Sequence, residues 1–254
     1  MEYFLSEAAR PVLRKVAREK TLCAFDFDGT LAPIVSHPDL AGMRQSTSEL
    51  LASLASLFPC IILSGRARAD VLQLLAGMKL DRVIGNHGAE KDAASGGRIH
   101  QRIQGWKTIL EAHLGETPGL WIEDKGLSLA VHYRQASNKV EARKRILQAS
   151  KHLDHVRVFG GKQVINLVQE DAPNKGVALA NERERLGCRW VLFVGDDAND
   201  EDAFALKGNV VPVRVGRKRD SHARYYIRSQ GEIDTLLQLM VSLRRNSQSS
   251  NLDS

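Results

Sequence analysis

The sequence predicts an α/β protein: a parallel sheet with helices on both faces, interrupted by a second, α+β domain. Three observations carry this expectation. Short all-apolar runs, Thr21-Leu22-Cys23-Ala24 and Cys60-Ile61-Ile62-Leu63, alternate with segments of helical periodicity. That is the rhythm of βαβ units whose strands are buried on both faces. The rhythm stops near residue 88 and resumes near residue 172. Between them, GLWIEDKGLSLAVHYR (119–134) alternates about Lys125-Gly126, the signal of an antiparallel hairpin. The predicted division is 1–87 with 172–254 for the parallel-sheet domain, and 88–171 for the insertion.

Taken in order, the first twenty residues, MEYFLSEAARPVLRKVAREK, read as an amphipathic helix. They lack the apolar core of a signal peptide, so the expected compartment is the cytoplasm. The strand beginning at Thr21 runs into FDFDGTLAP. Ser46-Thr47-Ser48-Glu49 has the form of a capping box opening a helix that Pro59 ends. The Cys60–Leu63 run is a strand with Ser64-Gly65-Arg66 at its C-terminal end. A helix through Val71, Leu72, Leu74 and Leu75 leads to the strand Arg82–Ile84. In the hairpin, Leu127, Leu129, Val131 and Tyr133 share one face; Ser128, His132 and Arg134 take the other, and Trp121, Glu123 and Lys125 lie together. A helix over about 138–152 and strands near 156–159 and 164–168 complete the insertion. The first pattern then returns: a helix from Lys175 to Leu186, a strand from Arg189 to Val194, strands at Val210–Val213 and Tyr225–Ile227, and a helix from Ile233 to Leu243. The tail, about 246–254, is expected to fray.

Bulk composition narrows the function classes. Apolar residues make up 43% of the 254 and charged residues 26%, an ordinary soluble balance. No apolar run approaches the roughly 20 residues of a membrane span. The net charge of +6 suits an anionic partner. Its densest basic groups, such as Arg143-Lys144-Arg145 and Arg217-Lys218-Arg219, carry no interleaved aromatics, which argues against nucleic acid. The three cysteines, Cys23, Cys60 and Cys188, have no metal-type spacing and read as buried thiols of a reducing compartment. Gly160-Gly161-Lys162 is followed by Gln163, so it is not a nucleotide-binding phosphate loop.

The chemistry-bearing residues fall at the C-terminal ends of predicted parallel strands, the edge where open α/β sheets bind ligands. Asp26 and Asp28, two apart, share a face and repel unless a cation or proton holds them. Carboxylates from two loops, Asp26 and Asp196, suit a shared Mg²⁺. Asp26 would then act as nucleophile in phosphoryl transfer, and Asp28 as the acid and base. Ser64 and Lys175 would bind the transferring oxygens, with Asp197 and Asp200 orienting the metal's waters. On spacing alone Glu123 and Lys125 read as an exposed ion pair, and His132 as a packing or hydrogen-bonding residue.

DFDGT, SGR, a Lys opening a helix and GDDANDED, in this order, resemble the haloacid dehalogenase-like phosphatases. DFDGTLAPI, ILSGR, GNHGAE (85–90), EDKGLSLAVHYR (123–134), NKGVAL (174–179) and GDDANDEDAF (195–204) are similar to the trehalose-phosphatase family within them. The resemblance implies a Rossmann-like core, a mobile α/β cap, Mg²⁺, and hydrolysis of trehalose 6-phosphate. It implies a metal held by Asp26, Asp196 and the Asp28 carbonyl, with Asn199 behind them, and Thr30 and Gly65 beside Ser64 and Lys175 at the phosphate. In the cleft it implies Arg66, Asn86, His87 and Glu90, and on the cap Glu123, Lys125, Ser128, His132 and Arg134. The chain departs from the family pattern at Asn166, where a sugar-binding Glu is usual, and at Asn199, where Thr is usual. Asn166 motivates a rival substrate, another glycosyl phosphate of the glucosylglycerol or mannosylglycerate type. A non-catalytic sugar-phosphate sensor is the rival of another class. The expected partners are a small sugar phosphate and the synthase of the same pathway, and the chain is expected to be a monomer.

Overall fold

The structure is a computed structural model, and it describes residues 1–35, 41–90 and 97–249. Seven parallel strands form the main sheet: β1 (Glu2–Tyr3), β2 (Thr21–Phe25), β3 (Cys60–Leu63), β4 (Arg82–Ile84), β9 (Trp190–Gly195), β10 (Val210–Val215) and β11 (Tyr225–Ile227), in the spatial order β1-β11-β10-β9-β2-β3-β4. β2 pairs with β3 through Cys23↔Cys60 and with β9 through Phe25↔Val194. The strand order therefore reverses about β2, and the crevice at this switch point lies beyond the ends of β2, β3 and β9.

Both faces of the sheet are covered, which is why its strands are apolar without alternation. Cys23 and Phe25 of β2 turn to the face packed by α1 (Arg10–Arg18), α2 (Gln45–Ala55) and α8 (Ile233–Ser249), among Leu13, Leu51, Leu54, Leu236 and Met240. Leu22 and Ala24 turn to the face of α6 (Lys175–Arg185) and α7 (Glu201–Phe204), among Leu179, Phe193 and Phe204. A further helix, α3 (Arg68–Leu74), joins β3 to β4. All three cysteines are buried and free.

Between β4 and α6 lies a four-stranded antiparallel sheet of β5 (Trp121–Asp124), β6 (Ser128–His132), β7 (Val156–Gly161) and β8 (Val164–Gln169), in the order β5-β6-β8-β7. Its registers place Glu123 opposite Ala130, and Ala130 opposite Asn166. Leu129, Val131, Ile165 and Leu167 accordingly face α4 (Gly97–Leu114) and α5 (Lys139–Ala149), and pack on Ile103, Trp106, Leu110 and Ile146. Glu123, Ser128, His132 and Asn166 take the opposite face, toward the main sheet. Among the described residues no helix is long and apolar enough to cross a membrane.

Three expectations need correction, and one helix had no expectation. The chain starts with a two-residue edge strand, and its first helix begins only at Arg10, behind Pro11 in the first turn. The capping box at Ser46 does not form: α2 opens at Gln45, and Ser46 and Thr47 donate instead to Asp234 of α8 at 2.8 and 2.5 Å. The 18-residue α4 was not anticipated, although Ile103, Trp106, Leu110 and Leu114 mark its buried stripe. The last helix continues through Ser249, so the first residues assigned to a frayed tail are helical. Residues 250–254 of that tail lie outside the described part.

Candidate active site

Asp26 leaves the end of β2 with its N–H donating to the Val194 carbonyl at 2.9 Å. Asp196 leaves the adjacent end of β9, and the turn after it brings back Asp200. One carboxylate oxygen from each of the three lies within 4.8 Å of the others, and all three residues are buried. The DDAND run has a local reason for its shape: Asp197 and Asp200 form a reciprocal capping box around the short turn Ala198–Asp200. Asp200 Oδ2 accepts from the N–H groups of Asp196 and Asp197 at 2.8 and 2.9 Å, and Oδ1 accepts from Lys175 Nζ at 2.6 Å. Lys175 also donates to Asp26 Oδ1 at 2.7 Å. It is aimed there because Asn174 caps α6, accepting from Val177 N at 2.9 Å. Gly29, at φ +86°, passes so close to Asp196 that a Cβ would stand 2.0 Å from its Oδ2, and only glycine serves there.

The electrostatics follow from burial. Desolvation pushes the Asp26 carboxyl well above its ordinary value, against the pull of Lys175 and with the repulsion of Asp200 and Asp196. Asp196 is pushed up to about 6 by burial and by Asp200, with Lys162 opposing. Lys175 is raised despite its burial, because two carboxylates hold its charge. Three hard carboxylates this close suit a small divalent cation. Thr30 supports the same use of the site: it is buried, and its Oγ1 finds no partner in the protein.

Asp28 stands apart from this cluster. Arg66 clamps it bidentately, Nε to Oδ2 at 2.6 Å and Nη2 to Oδ1 at 2.7 Å. Ser64 is fully buried and its Oγ accepts from Arg66 N at 3.1 Å. Of the residues expected at the phosphate, Ser64, Thr30 and Lys175 are buried and do not line the cleft; Lys175 touches Asp26, which does. Gly65 lines it, and its carbonyl accepts from Lys125 of the upper sheet at 2.9 Å.

The cleft is roofed by the polar face of the antiparallel sheet. Glu123 accepts from His132 Nε2 at 2.8 Å and lies 3.6 Å from Lys125 Nζ. Burial favours the neutral acid, but the His132 hydrogen bond and the Lys125 charge outweigh it and lower the Glu123 pKa. Lys125 is lowered by burial, against Glu123 and Asp28. Asn86, Glu90 and Ser128 do not line the cleft. Ser128 Oγ donates to Asn86 Oδ1 at 2.5 Å, and Asn86 Nδ2 donates to Glu90 at 2.7 Å and to the Lys125 carbonyl at 3.2 Å. They lock the loop after β4 to the hairpin. His87, at φ +58°, stands edge-on to Phe159 and meets Asn166 Oδ1 at 3.3 Å and Asn199 Nδ2 at 3.4 Å. The two departures from the family pattern therefore converge on one imidazole. Burial holds that imidazole well below its ordinary pKa, so it is neutral.

Arg134 reaches across to the Val35 carbonyl at 2.8 Å. Five further positions at the site lie outside the expected set. Lys162 donates to Asp196. Trp121 stacks on His132, ring centroids 4.0 Å apart, at the mouth of the cleft. Ile34 and Val35 complete that mouth. Arg214 of β10 donates to the carbonyls of Asp196 and Asp197 and to Glu201, and fixes the acidic loop from below. Trp121 had a sequence signal, its shared face with Glu123; Arg214 had none within its apolar strand.

Residues 24–226 match the family model described as trehalose-phosphatase. The chain is 34% identical over 221 residues to the trehalose-phosphate phosphatase of Mycobacterium ulcerans, covering 77% of this chain and 54% of that protein. It is 28% identical over 263 residues to the probable trehalose-phosphate phosphatase 4 of rice, Oryza sativa subsp. japonica, covering 95% and 71%. The chain thus spans about half the length of the mycobacterial relatives it matches. Among solved structures, the C-terminal domain of C. albicans trehalose-6-phosphate phosphatase superposes with a TM-score of 0.78 at 23% identity, over 92% of this chain and 96% of that one. A likeness at that identity shows the fold, a parallel-sheet core with a cap. The family match itself takes in the C-terminal end of β2, all of β9 and the whole insertion between them, and on it the chain belongs to the trehalose-phosphatase family.

Proposed function

We propose that this chain is a Mg²⁺-dependent phosphatase that hydrolyses trehalose 6-phosphate to trehalose and phosphate. The observation that carries the reading is the Asp26–Lys175–Asp200 arrangement beside Asp196: a buried carboxylate with one oxygen held and the other free, at a sheet edge built for anions and cations together. Asp26 and Asp196 would hold the ion, whose chemistry is to neutralise the transferring phosphoryl group and keep the carboxylates charged.

Asp26 Oδ2, opposite the oxygen that Lys175 holds, attacks phosphorus. The bond from phosphorus to the sugar oxygen breaks, and Asp28 gives that oxygen its proton. Asp28 then takes a proton from water, whose oxygen displaces Asp26 from phosphorus. Arg66 must release one Asp28 oxygen for these transfers, and sugar hydroxyls are suitable exchange partners for both groups. Thr30, Ser64 and the Gly65 amide region receive the phosphoryl oxygens. Residues 88–171 act as the cap. Glu123, kept ionised, accepts from sugar hydroxyls; Lys125 and His132 donate beside it; the free face of Trp121 packs on a sugar ring. The cavity between cap and core is about 180 Å³, below the roughly 300–1,000 Å³ of ligand pockets. The cap therefore opens to admit a disaccharide phosphate and closes to exclude water.

A second reading rests on Asn166, whose Oδ1 is engaged by His87. The group left facing the cleft is an N–H donor where a carboxylate would accept, and this suits another glycosyl phosphate. Phosphate release with Mg²⁺ across trehalose 6-phosphate, glucosylglycerol phosphate and mannosylglycerate phosphate decides between them. The expected result is the highest kcat/KM on trehalose 6-phosphate. A hundredfold preference for another substrate overturns the choice of sugar, and tight binding without turnover of any overturns the enzyme.

A further inference from the structure

Lys162 has no part in the mechanism above. It lies at the tip of the β7–β8 hairpin, where Gln163 turns the chain at φ +63°, and its ammonium crosses from cap to core to meet Asp196 Oδ2. More than this ion pair puts it there. Arg134 donates to the Lys162 carbonyl at 3.3 Å while gripping the Val35 carbonyl of the core. The Tyr133 N–H donates to the Gln163 carbonyl at 3.1 Å. Gly161 approaches the acidic loop so closely that a Cβ would lie 3.1 Å from Asp197 Oδ2. The backbone of the tip delivers the ammonium to the cluster.

Two lysines thus serve one group of carboxylates, and their circumstances differ. Lys175 is 1% exposed and bound to two carboxylates; moving it would leave both unpaired and buried, at large cost. Lys162 is 47% exposed, and Asp196 is its carboxylate partner. Its four-carbon stem lets the ammonium swing by several ångströms. Asp196 is also the carboxylate a divalent cation calls on, because both oxygens of Asp200 are already engaged. An ammonium and a divalent cation on one carboxylate repel each other. Of the anions within reach of the displaced ammonium, Asp197 is already held by the capping box of its own turn, and the other is the one that arrives with the substrate.

We propose that Lys162 is a catalytic residue carried by the cap: on closure over a sugar phosphate its ammonium leaves Asp196 and donates to the non-bridging oxygens of the phosphoryl group passing to Asp26. This rests on the phosphatase reading above. Lys162 makes and breaks no covalent bond; it meets the oxygens that gather charge. Phosphoryl transfer then depends on closure, because the last positive charge comes with the cap.

The test compares the wild-type protein with Lys162→Met, Lys162→Gln and Lys162→Arg, each first checked for folding by circular dichroism; Lys162→Gln replaces Lys162→Met if the latter does not fold. Orthovanadate serves as the probe of phosphoryl binding, titrated by calorimetry in excess Mg²⁺, and Mg²⁺ is titrated separately without it. The neutral variants should bind orthovanadate at least 30-fold more weakly and lose roughly 100-fold in kcat, while binding Mg²⁺ no more weakly than wild type. Lys162→Arg should recover most of both losses. Unchanged orthovanadate affinity in the neutral variants overturns the proposal, as does an equal loss in Lys162→Arg or a parallel loss of Mg²⁺ affinity. Wild-type protein that releases no phosphate from any sugar phosphate overturns the phosphatase reading instead, a result separable from all of these.

Discussion

Lys175 and Lys125 are both buried lysines beside carboxylates, one in the core and one in the cap. Lys175 has two carboxylates at 2.6 and 2.7 Å and its pKa is raised. Lys125 has a backbone carbonyl at 2.9 Å, Glu123 only at 3.6 Å, and a pKa lowered first by burial. The core lysine is compensated before any ligand arrives; the cap lysine is not. A group left undercompensated in a cleft gains most from a partner that enters it. On the proposed function, the core is preassembled for chemistry that does not change, and the cap is left to be completed by the substrate it selects.

Removing the core's central charges should break this contrast most severely. Asp26→Asn should lower kcat at least a thousandfold with an unchanged circular dichroism spectrum, since it removes the attacking oxygen's charge but keeps its shape. Retained phosphate release by a rigorously purified variant would remove Asp26 from the nucleophile's role. Lys175→Met leaves Asp26 and Asp200 buried without their cation. It should cost about 3–5 kcal/mol of stability in denaturant titration, together with activity. A loss under 1 kcal/mol would mean that the cluster is not held by Lys175.

The same crowding predicts a pH dependence, smaller in size. The Asp196 carboxyl is raised from 3.8 to about 6, so the fold favours its protonated form. That contribution is full below the unfolded value and is lost as pH rises through the folded one. The difference, about two pH units, corresponds to about 3 kcal/mol. His87, held low by burial, works the other way and loses stability as pH falls below its ordinary value. The comparison with Asp196→Asn isolates the carboxyl: chelator-treated wild type should lose several degrees of Tm relative to that variant between pH 4.5 and 7.5, and Mg²⁺ should restore them. A constant difference between the two across this range would show that the cluster carries no such strain.

What could be read from the sequence divides along the same line. The parallel strands were legible because burial on both faces writes Cys60-Ile61-Ile62-Leu63 as an unbroken apolar run. The hairpin was legible because one-sided burial writes alternation. Asp26, Ser64 and Asp196 were legible because strand ends converge in an α/β sheet whatever the loops do. The edge strand Glu2–Tyr3 was not, since its partner Tyr225–Tyr226 lies at the far end of the chain. Nor was the Ser46 cap, lost to Asp234 by tertiary competition. Lys162 carries no local signal, because its loop lacks a nucleotide-binding pattern and its place comes from a hairpin tip meeting a strand end 34 residues away. The meeting of Asn166 and Asn199 on His87 is likewise a fact of docking, with no local signal.

On the cap side the expected effects are smaller and fall on binding. Lys125→Met keeps the buried stem and removes the donor, so KM for trehalose 6-phosphate should rise roughly tenfold, about one charge-assisted hydrogen bond, with kcat changing less. Equal losses in kcat and kcat/KM would instead assign Lys125 to the transition state.

Asn166→Ala is the finest probe of the comparison. It removes the cap's end of the His87 bridge but touches none of the three clustered carboxylates. His87 keeps Asn199 at 3.4 Å and Phe159 against its ring, so the imidazole has little reason to move. The bridge joins neutral groups, and a neutral hydrogen bond contributes about 1 kcal/mol net. KM should therefore rise about fivefold, with kcat and the Mg²⁺ dependence unchanged. A fall in kcat of tenfold or more would mean that Asn166 reaches the chemistry through His87 and Asn199. In that case the division between a fixed core and a ligand-completed cap fails at the residue that joins them.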